Sequence, residues 1–309
     1  MFDRALGLCE GRKRTKWREF RAQFEADVLP TKDSGTRNIY RLAFRKFEKA
    51  VSPGYVDAIR TATIDKYVRV RLAEKKMPSP ATINKELHHL KAAFKKAFSW
   101  EMLPKTSEVV MLRELQRAPY FVDDNTFKAL YGACDALSRP AKRNYPVADW
   151  WQALLCFAYM TGWRIGEILD LRRDDLDLEN GIAIVDAEST KGKREARIEL
   201  HPVVIEHLRR ITEFTPLVFD WPHHERTLWA DFARLKEAAE VEFPGAFHRL
   251  RFGFANANVD SLDADLLQEL MRHRDPQTTR KYINVAQRMR RAGTAERLHV
   301  PDVLKIAAG

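Results

Sequence analysis

Three cysteines in 309 residues, Cys9, Cys134 and Cys156, are too few and too far apart for a disulfide framework. No Cys-x-x-Cys pair offers a zinc site, and neither a carboxylate cluster nor a glycine-rich phosphate loop is present. The expectation is therefore a chain with no cofactor, neither metal nor ATP. No run of eighteen apolar residues occurs, which leaves no candidate membrane span. A basic amphipathic helix with an exposed apolar face is also missing, so a membrane-surface partner is not expected. No apolar stretch follows Arg12–Arg14 in the way a secretory leader needs. A reducing, cytoplasmic compartment is the expectation. Internal repeats and low-complexity tracts are absent as well.

What is present is charge, unevenly spread. Hydrophobic residues make up 45% of the chain, enough for real cores, and the net charge is +10. Residues 1–120 hold 26 Lys and Arg against 14 Asp and Glu, a net of +12, whereas residues 121–309 hold 27 against 29, a net of −2. A field concentrated in this way favours a polyanion, and nucleic acid before any other.

The periodicity divides the chain. Residues 1–15 form a short basic tail. Four helical patterns follow in 16–115. Trp17, Phe20, Phe24 and Val28 share one face, and Tyr40, Ala43, Phe44, Phe47 and Val51 repeat at helical spacing. Ile64, Tyr67, Val68 and Leu72 follow Thr63, a candidate cap. Ile83, Leu87, Leu90, Phe94, Ala97 and Phe98 form the clearest stripe, opened by Ser79-Pro80. Lys85, Lys91, Lys95 and Lys96 lie on that last helix. Each is by itself an ordinary solvated lysine; the surrounding charge makes them candidate phosphate contacts. The pattern loosens over 116–124, read as a linker, and Asp123-Asp124-Asn125 is placed to cap a new helix. Residues 125–290 are mainly helical. Trp150, Trp151, Leu154, Leu155, Ala158 and Tyr159 read as buried, Cys156 as core, and Gly162 as a helix end. Ile182 and Ile184, then Ala196, Ile198 and Leu200, alternate across a Lys191-Gly192-Lys193 turn, which reads as a β-hairpin. The fold class expected is mainly α, a four-helix unit followed by an α-helical unit with a small antiparallel sheet.

Five segments of the second part stand out. They are Thr161-Gly162-Trp163-Arg164-Ile165-Gly166-Glu167, Thr190-Lys191-Gly192-Lys193, His248-Arg249-Leu250-Arg251, Leu270-Met271-Arg272-His273, and Tyr282 in Thr278-Thr279-Arg280-Lys281-Tyr282. Singly each is bland. Arg164 and Glu167 are spaced as a helix-surface ion pair, a turn lysine is normally solvated, and a lone tyrosine normally packs a core. In this order and spacing they resemble the tyrosine recombinase (phage integrase) family. Its pattern is an Arg after Thr-Gly, a Lys in a hairpin, His-x-x-Arg, a His or Trp, and then a Tyr. Thr82-Ile83-Asn84-Lys85-Glu86-Leu87 extends the likeness, more weakly, into the first part.

The resemblance implies a core-binding, SAM-like helical domain before a recombinase catalytic domain. It also implies a site-specific DNA recombinase that works through a 3′-phosphotyrosyl intermediate. Arg164 and Arg251 would hold the phosphate, because a planar guanidinium matches its oxygens and stabilises growing charge. His248 would take the tyrosine proton or orient the phosphate. Lys191, with Lys193 as the alternative, would protonate the leaving 5′ oxygen, and His273 would donate to a phosphate oxygen. Tyr282, the only tyrosine after Tyr159, would be the nucleophile. The implied partners are double-stranded DNA with inverted-repeat sites and three further copies of the chain, in a prokaryotic or mobile-element setting. Residues 291–309 carry Val300, Val303, Leu304 and Ile306 at near-helical spacing and are a candidate docking helix, on a neighbouring protomer or on their own domain. The stretch before Trp17 is short for an arm-binding domain. Two departures stand out: Arg272 where the family usually has glycine, and Phe252-Gly253 where His-Thr is common. A type IB topoisomerase and an inactive DNA-binding relative are the competing readings.

Overall fold

In the computed structural model, which describes residues 14–115, 119–141, 143–185, 196–273, 275–280 and 283, the chain divides into two units, Met1–Gln116 and Arg117–Gly309. The first is built from α1 (Trp17–Asp27), α2 (Ser34–Val51), α3 (Thr61–Leu72) and α4 (Pro80–Ser99). Their apolar stripes meet in an aromatic core. Phe20, Phe44, Phe47 and Tyr67 are fully buried, and Trp17 lies within 6.4 Å, centroid to centroid, of Phe20, Phe44, Phe47 and Phe94. Rings at these separations and tilted angles add to the area they bury.

Helix ends follow local chemistry, with three departures from the sequence reading, one of them Leu72, which is assigned to the α3 stripe and is 38% exposed at the end of that helix. Ser79 caps α4 as expected, its hydroxyl accepting from the Thr82 amide at 3.2 Å with Pro80 behind it. Thr63 does not cap α3. The helix starts two residues earlier, and Thr63 Oγ1 instead accepts from the Arg60 amide at 3.2 Å, one turn inside the helix. A Thr that early in a helix can serve either position, so pattern alone misplaces the start. Phe98, assigned to the α4 stripe, is 47% exposed, because Ala93 and Phe94 already fill the core-facing side of that turn.

Polar groups also anchor this unit from within. Arg71 on α3 reaches Glu86 on α4 with two hydrogen bonds, 2.9 and 2.7 Å, and the Tyr67 hydroxyl donates to the same carboxylate at 2.5 Å. Asn84 pairs with the backbone of Leu112, donating to its carbonyl at 2.9 Å and accepting its amide at 2.8 Å. The Asn84 and Glu86 of the Thr82–Leu87 segment are therefore structural ties. Lys85, Lys91 and Lys95 are exposed, and Lys96 lies half-buried with its ammonium 5.0 Å from the Trp100 ring.

The second unit is organised around α6 (Val147–Thr161), buried on nearly every side from Trp150 to Ala158. A helix apolar all round has to be the centre of its domain. Before it comes α5 (Asp124–Gly132), capped by Asp123 through the Thr126 amide at 2.9 Å. After it come the short α7 (Ile165–Leu169), β1 (Leu176–Asp177), β2 (Ile182–Val185) and β3 (Ala196–Glu199). These are followed by α8 (Pro202–Arg210), α9 (Glu225–Ala238), α10 (His248–Asn258), α11 (Ala264–Leu270) and α12 (Pro276–Arg280). The strands form one antiparallel sheet in the order β1-β2-β3, with Ala183 opposite Ile198. The pairing is the expected hairpin, but the phase of β2 is shifted by one. Ala183 is fully buried, whereas Ile182 and Ile184 are half-exposed. The core leaves room there only for a small side chain, which a hydrophobicity pattern does not register.

Two glycines let α6 and α10 approach. Gly162 ends α6 at φ +64°, and a Cβ there would lie 2.9 Å from Cγ of Phe254. Gly253 of α10 sits against the Val122 carbonyl, and a Cβ would lie 2.6 Å from Cε2 of Tyr159. Its place in the sequence, where the resemblance leads one to expect threonine, thus has a packing cause. Gly253→Ala is expected to destabilise the protein by about 1–3 kcal/mol, the range for forcing extra volume into a filled interior. Urea unfolding reads this directly; an unchanged midpoint would mean that α10 backs away from α6 at no cost.

Candidate active site

Arg251 is the most enclosed cation described in the chain, 1% exposed on α10. Its Nη1 donates to the Gly162 carbonyl at the end of α6, and its Nη2 donates to the Met271 carbonyl at the end of α11. The same Nη2 lies 2.6 Å from Nε2 of His273. Carbonyls orient the guanidinium fork without cancelling its charge. The Thr-Gly turn is itself locked, since Thr161 Oγ1 donates to the Phe157 carbonyl at 2.7 Å and accepts the Trp163 amide at 3.3 Å.

That turn leads directly to Arg164, which precedes α7 and is half-exposed. Its Nη1 donates to Oε1 of Glu167 at 3.0 Å, and its backbone amide donates to Oε2 at 2.9 Å. Glu167 is more than the helix-surface partner its spacing suggests. It is 7% exposed, and its Oε2 also takes a hydrogen bond from Nη2 of Arg272. The Arg272 guanidinium lies 4.3 Å from the centre of the Trp163 ring. Its backbone has φ +51°, the left-handed region, just past the end of α11. Glycine is the natural occupant of such a position, which is why arginine here departs from the family pattern.

The two histidines are held neutral. Burial, then Arg251, Arg164 and His248, push the pKa of His273 down to about 3. Arginine has no acceptor, so His273 Nε2 must accept from Arg251, and the ring proton sits on Nδ1, which donates to Thr279 Oγ1 at 2.8 Å. The sequence reading had His273 donating to a bound phosphate. In this structure its ring nitrogens face Arg251 and Thr279, so the ring also braces the Arg251 guanidinium. His248 opens α10 and keeps an exposed side, with its ring edge-on to Phe252 at 5.3 Å. Desolvation of its inner face, then Arg251, Arg249 and Arg164, push its pKa down to about 4.

Arg164, His248, Arg251 and His273 thus share one electrostatic neighbourhood, fed by the ends of α6, α10 and α11. Lys191, Lys193 and Tyr282 lie outside the described residues, as does the 291–309 segment. The four lysines of α4 belong to the other unit. Sequence reasoning missed Thr279, which fixes the His273 tautomer, and the sharing of Glu167 by two arginines. Only the odd Arg272 signalled the second.

A family model, "Phage integrase family", matches residues 121–289, more than half of the chain. A tyrosine recombinase XerC of Lactobacillus leichmannii is 29% identical over 164 residues, covering 48% of this chain and 55% of the relative. The chain spans about half the length of the first curated relatives it matches. Among solved structures, a lambda integrase dimer bound to a COC′ core site superposes with a TM-score of 0.69 at 17% identity, covering 91% of this chain and 83% of the other. A lambda integrase tetramer bound to a Holliday junction gives 0.69 at 18%, covering 88% and 78%. The structural likeness carries the fold.

The depressed histidines make stability fall in acid. A group whose folded pKa lies below its unfolded value, about 6.5 for histidine, stabilises the fold above that value. The contribution is lost as pH falls from there through about 4 for His248 and about 3 for His273. Most of the effect belongs to His273, since solvent screens the exposed side of His248. The denaturant midpoint is expected to drop between pH 6.5 and 4, and to drop less in His273→Gln. Parallel profiles for the two proteins would remove His273 as the cause.

Proposed function

Because the chain belongs to the phage integrase family, we propose that it is a site-specific DNA recombinase, cutting and rejoining DNA through a 3′-phosphotyrosyl bond. The observation that carries this reading is the Arg251–Arg164 neighbourhood. One guanidinium is locked by backbone carbonyls, a second follows the same turn, and two neutral histidines stand beside them. Such a site is charged for an anion and leaves His248, neutral and with an exposed side, able to accept a proton.

A phosphodiester carries one negative charge and gains more on its non-bridging oxygens as a fifth oxygen approaches. Arg164 and Arg251 bind that charge more tightly in the transition state than in the ground state, which is what accelerates the step. The Tyr282 oxygen attacks phosphorus, and its proton passes to His248 or to water. The phosphorus–O5′ bond breaks, and the leaving oxygen takes a proton from Lys191, with Lys193 as the alternative donor. The phosphotyrosyl bond keeps the energy of the bond it replaced. A free 5′-hydroxyl from another strand reverses the step, so the atoms balance without ATP or a metal.

The partner is double-stranded DNA carrying inverted-repeat sites. The +12 of residues 1–120, with Lys85, Lys91 and Lys95 exposed, supports a phosphate-binding role for the first unit, residues 16–115. Four strands must be broken and each protomer brings one Tyr282, so a homotetramer on DNA is the assembly. The solved lambda integrase tetramer on a Holliday junction supports it by likeness. Residues 291–309 would link protomers. No helix among the described residues is long and apolar enough to cross a membrane, and the reaction belongs where DNA is, in the cytoplasm of a prokaryotic or mobile-element host.

A nicked suicide duplex, built from inverted-repeat DNA flanking the gene, traps the covalent adduct. Tyr282→Phe is expected to abolish the adduct while leaving DNA binding nearly intact; undiminished adduct would refute the nucleophile. Arg164→Ala is expected to slow cleavage by about 10²–10³-fold, the scale of losing one preorganised anion-stabilising donor. Cleavage near the wild-type rate would show that Arg164 is not part of the clamp.

A further inference from the structure

Arg272 is poorly explained as a structural residue. It occupies a left-handed position where glycine is at ease, and its side chain is 10% exposed. Among the described residues its Nε and Nη1 have no hydrogen-bond partner. A buried cation with two unsatisfied donors burdens the fold, and such strain concentrates at functional sites. Its one described ion pair is to Glu167, the same carboxylate that holds Arg164.

The electrostatics of that triad depend on the third member. Glu167 facing Arg164 alone would nearly neutralise it, and a neutralised guanidinium binds an incoming phosphate weakly. Glu167 facing Arg164 and Arg272 together leaves one net positive charge. Arg272 takes Oε2, while Oε1 keeps Arg164 oriented. The ring of Trp163, 4.3 Å from the Arg272 guanidinium, steadies the cation without offering a competing negative charge.

Resting on the recombinase reading above, we propose that Arg272 is a positioning residue of the phosphate clamp. It shares the charge of Glu167 and so leaves Arg164 oriented but still cationic for the scissile phosphate. Burial and the nearby Arg164 weigh against the charge on Arg272, and Glu167 favours it, so the cation is held there by the carboxylate it compensates. Where glycine stands at this position, no such compensation exists. Arg272 thus places a cation where the backbone geometry discourages any side chain.

The test is single-turnover adduct formation on the nicked suicide duplex, with the full-length protein, for the wild type, Arg272→Met, Arg272→Lys, Glu167→Gln and the double variant Glu167→Gln/Arg272→Met. Arg272→Met is expected to slow adduct formation by about tenfold to a hundredfold, the scale of one lost charge-assisted hydrogen bond, with noncovalent DNA binding retained as evidence of folding. Arg272→Lys is expected to recover part of the rate, because it restores charge near Glu167. In the Glu167→Gln background, Arg272→Met is expected to cost little, since the charge to be shared is already gone. Wild-type speed in Arg272→Met, or an equal loss in both backgrounds, overturns the proposal. If the wild type binds the duplex and forms no adduct at all, the recombinase reading itself falls and takes this one with it. Wild-type adduct with an unaffected Arg272→Met strikes only the present inference.

Discussion

A guanidinium at 1% exposure survives in a protein interior only if its donors are matched, and Arg251 matches its Nη groups with the carbonyls of Gly162 and Met271. Those two carbonyls close helix ends, one on α6 and one on α11. The last carbonyls of a helix have no intrahelical donor and carry its negative dipole end. One cation therefore satisfies the ends of two helices while it is aimed by them. The rest of the unit accommodates this arrangement. Gly162 must adopt positive φ to turn its carbonyl inward, Gly253 must lack a side chain for α10 to lie close, and α6 must be apolar all round to be the element on which the others rest.

From this anchor the neighbouring chemistry follows in sequence order. The turn that presents the Gly162 carbonyl continues into Trp163 and Arg164, so fixing Arg251 also fixes where the second guanidinium begins. The α11 end that presents the Met271 carbonyl continues into Arg272 and His273, which return to Glu167 and to Arg251 itself. Residues far apart in sequence are brought together by two short turns. The compactness of each motif, Thr-Gly-x-Arg or Met-Arg-His, is that of a helix end followed by its next residues. It also explains why motif spacing is tight within a segment and free between segments.

The legibility of the sequence divides along the same physical line. Features decided by periodicity or local capping were largely readable: most of the four stripes of the first unit, the Ser79 and Asp123 caps though not the start of α3 at Thr61, the Gly162 helix end, the hairpin pairing. Features decided by the space left in a packed interior were not. Ala183 faces the core in place of Ile182 and Ile184, and Phe98 lies outside a stripe that already has enough volume. The order and spacing of the five segments pointed to Arg164, His248, Arg251 and His273 as candidates. What each does to the others is written in contacts no pattern holds. The i, i+3 pair of Arg164 and Glu167 looks like thousands of surface pairs until Arg272 arrives from 105 residues away to share it.

Charge is the last constraint. Arg164, Arg251 and Arg272 against Glu167 leave two positive charges among these four side chains, and His248 and His273 respond by staying neutral. Neutrality is what a proton acceptor requires, and His248 has it with an open side, whereas His273 spends both ring nitrogens on Arg251 and Thr279. Two histidines with similarly depressed pKa values thus stand differently, one with a side open to solvent and one with both ring nitrogens turned to protein partners. Burial is the larger part of what holds the His248 pKa down, and Arg251, Arg249 and Arg164 add to it. The ends of α6, α10 and α11 thus set, in one place, both a positive field and a half-open imidazole kept neutral within it.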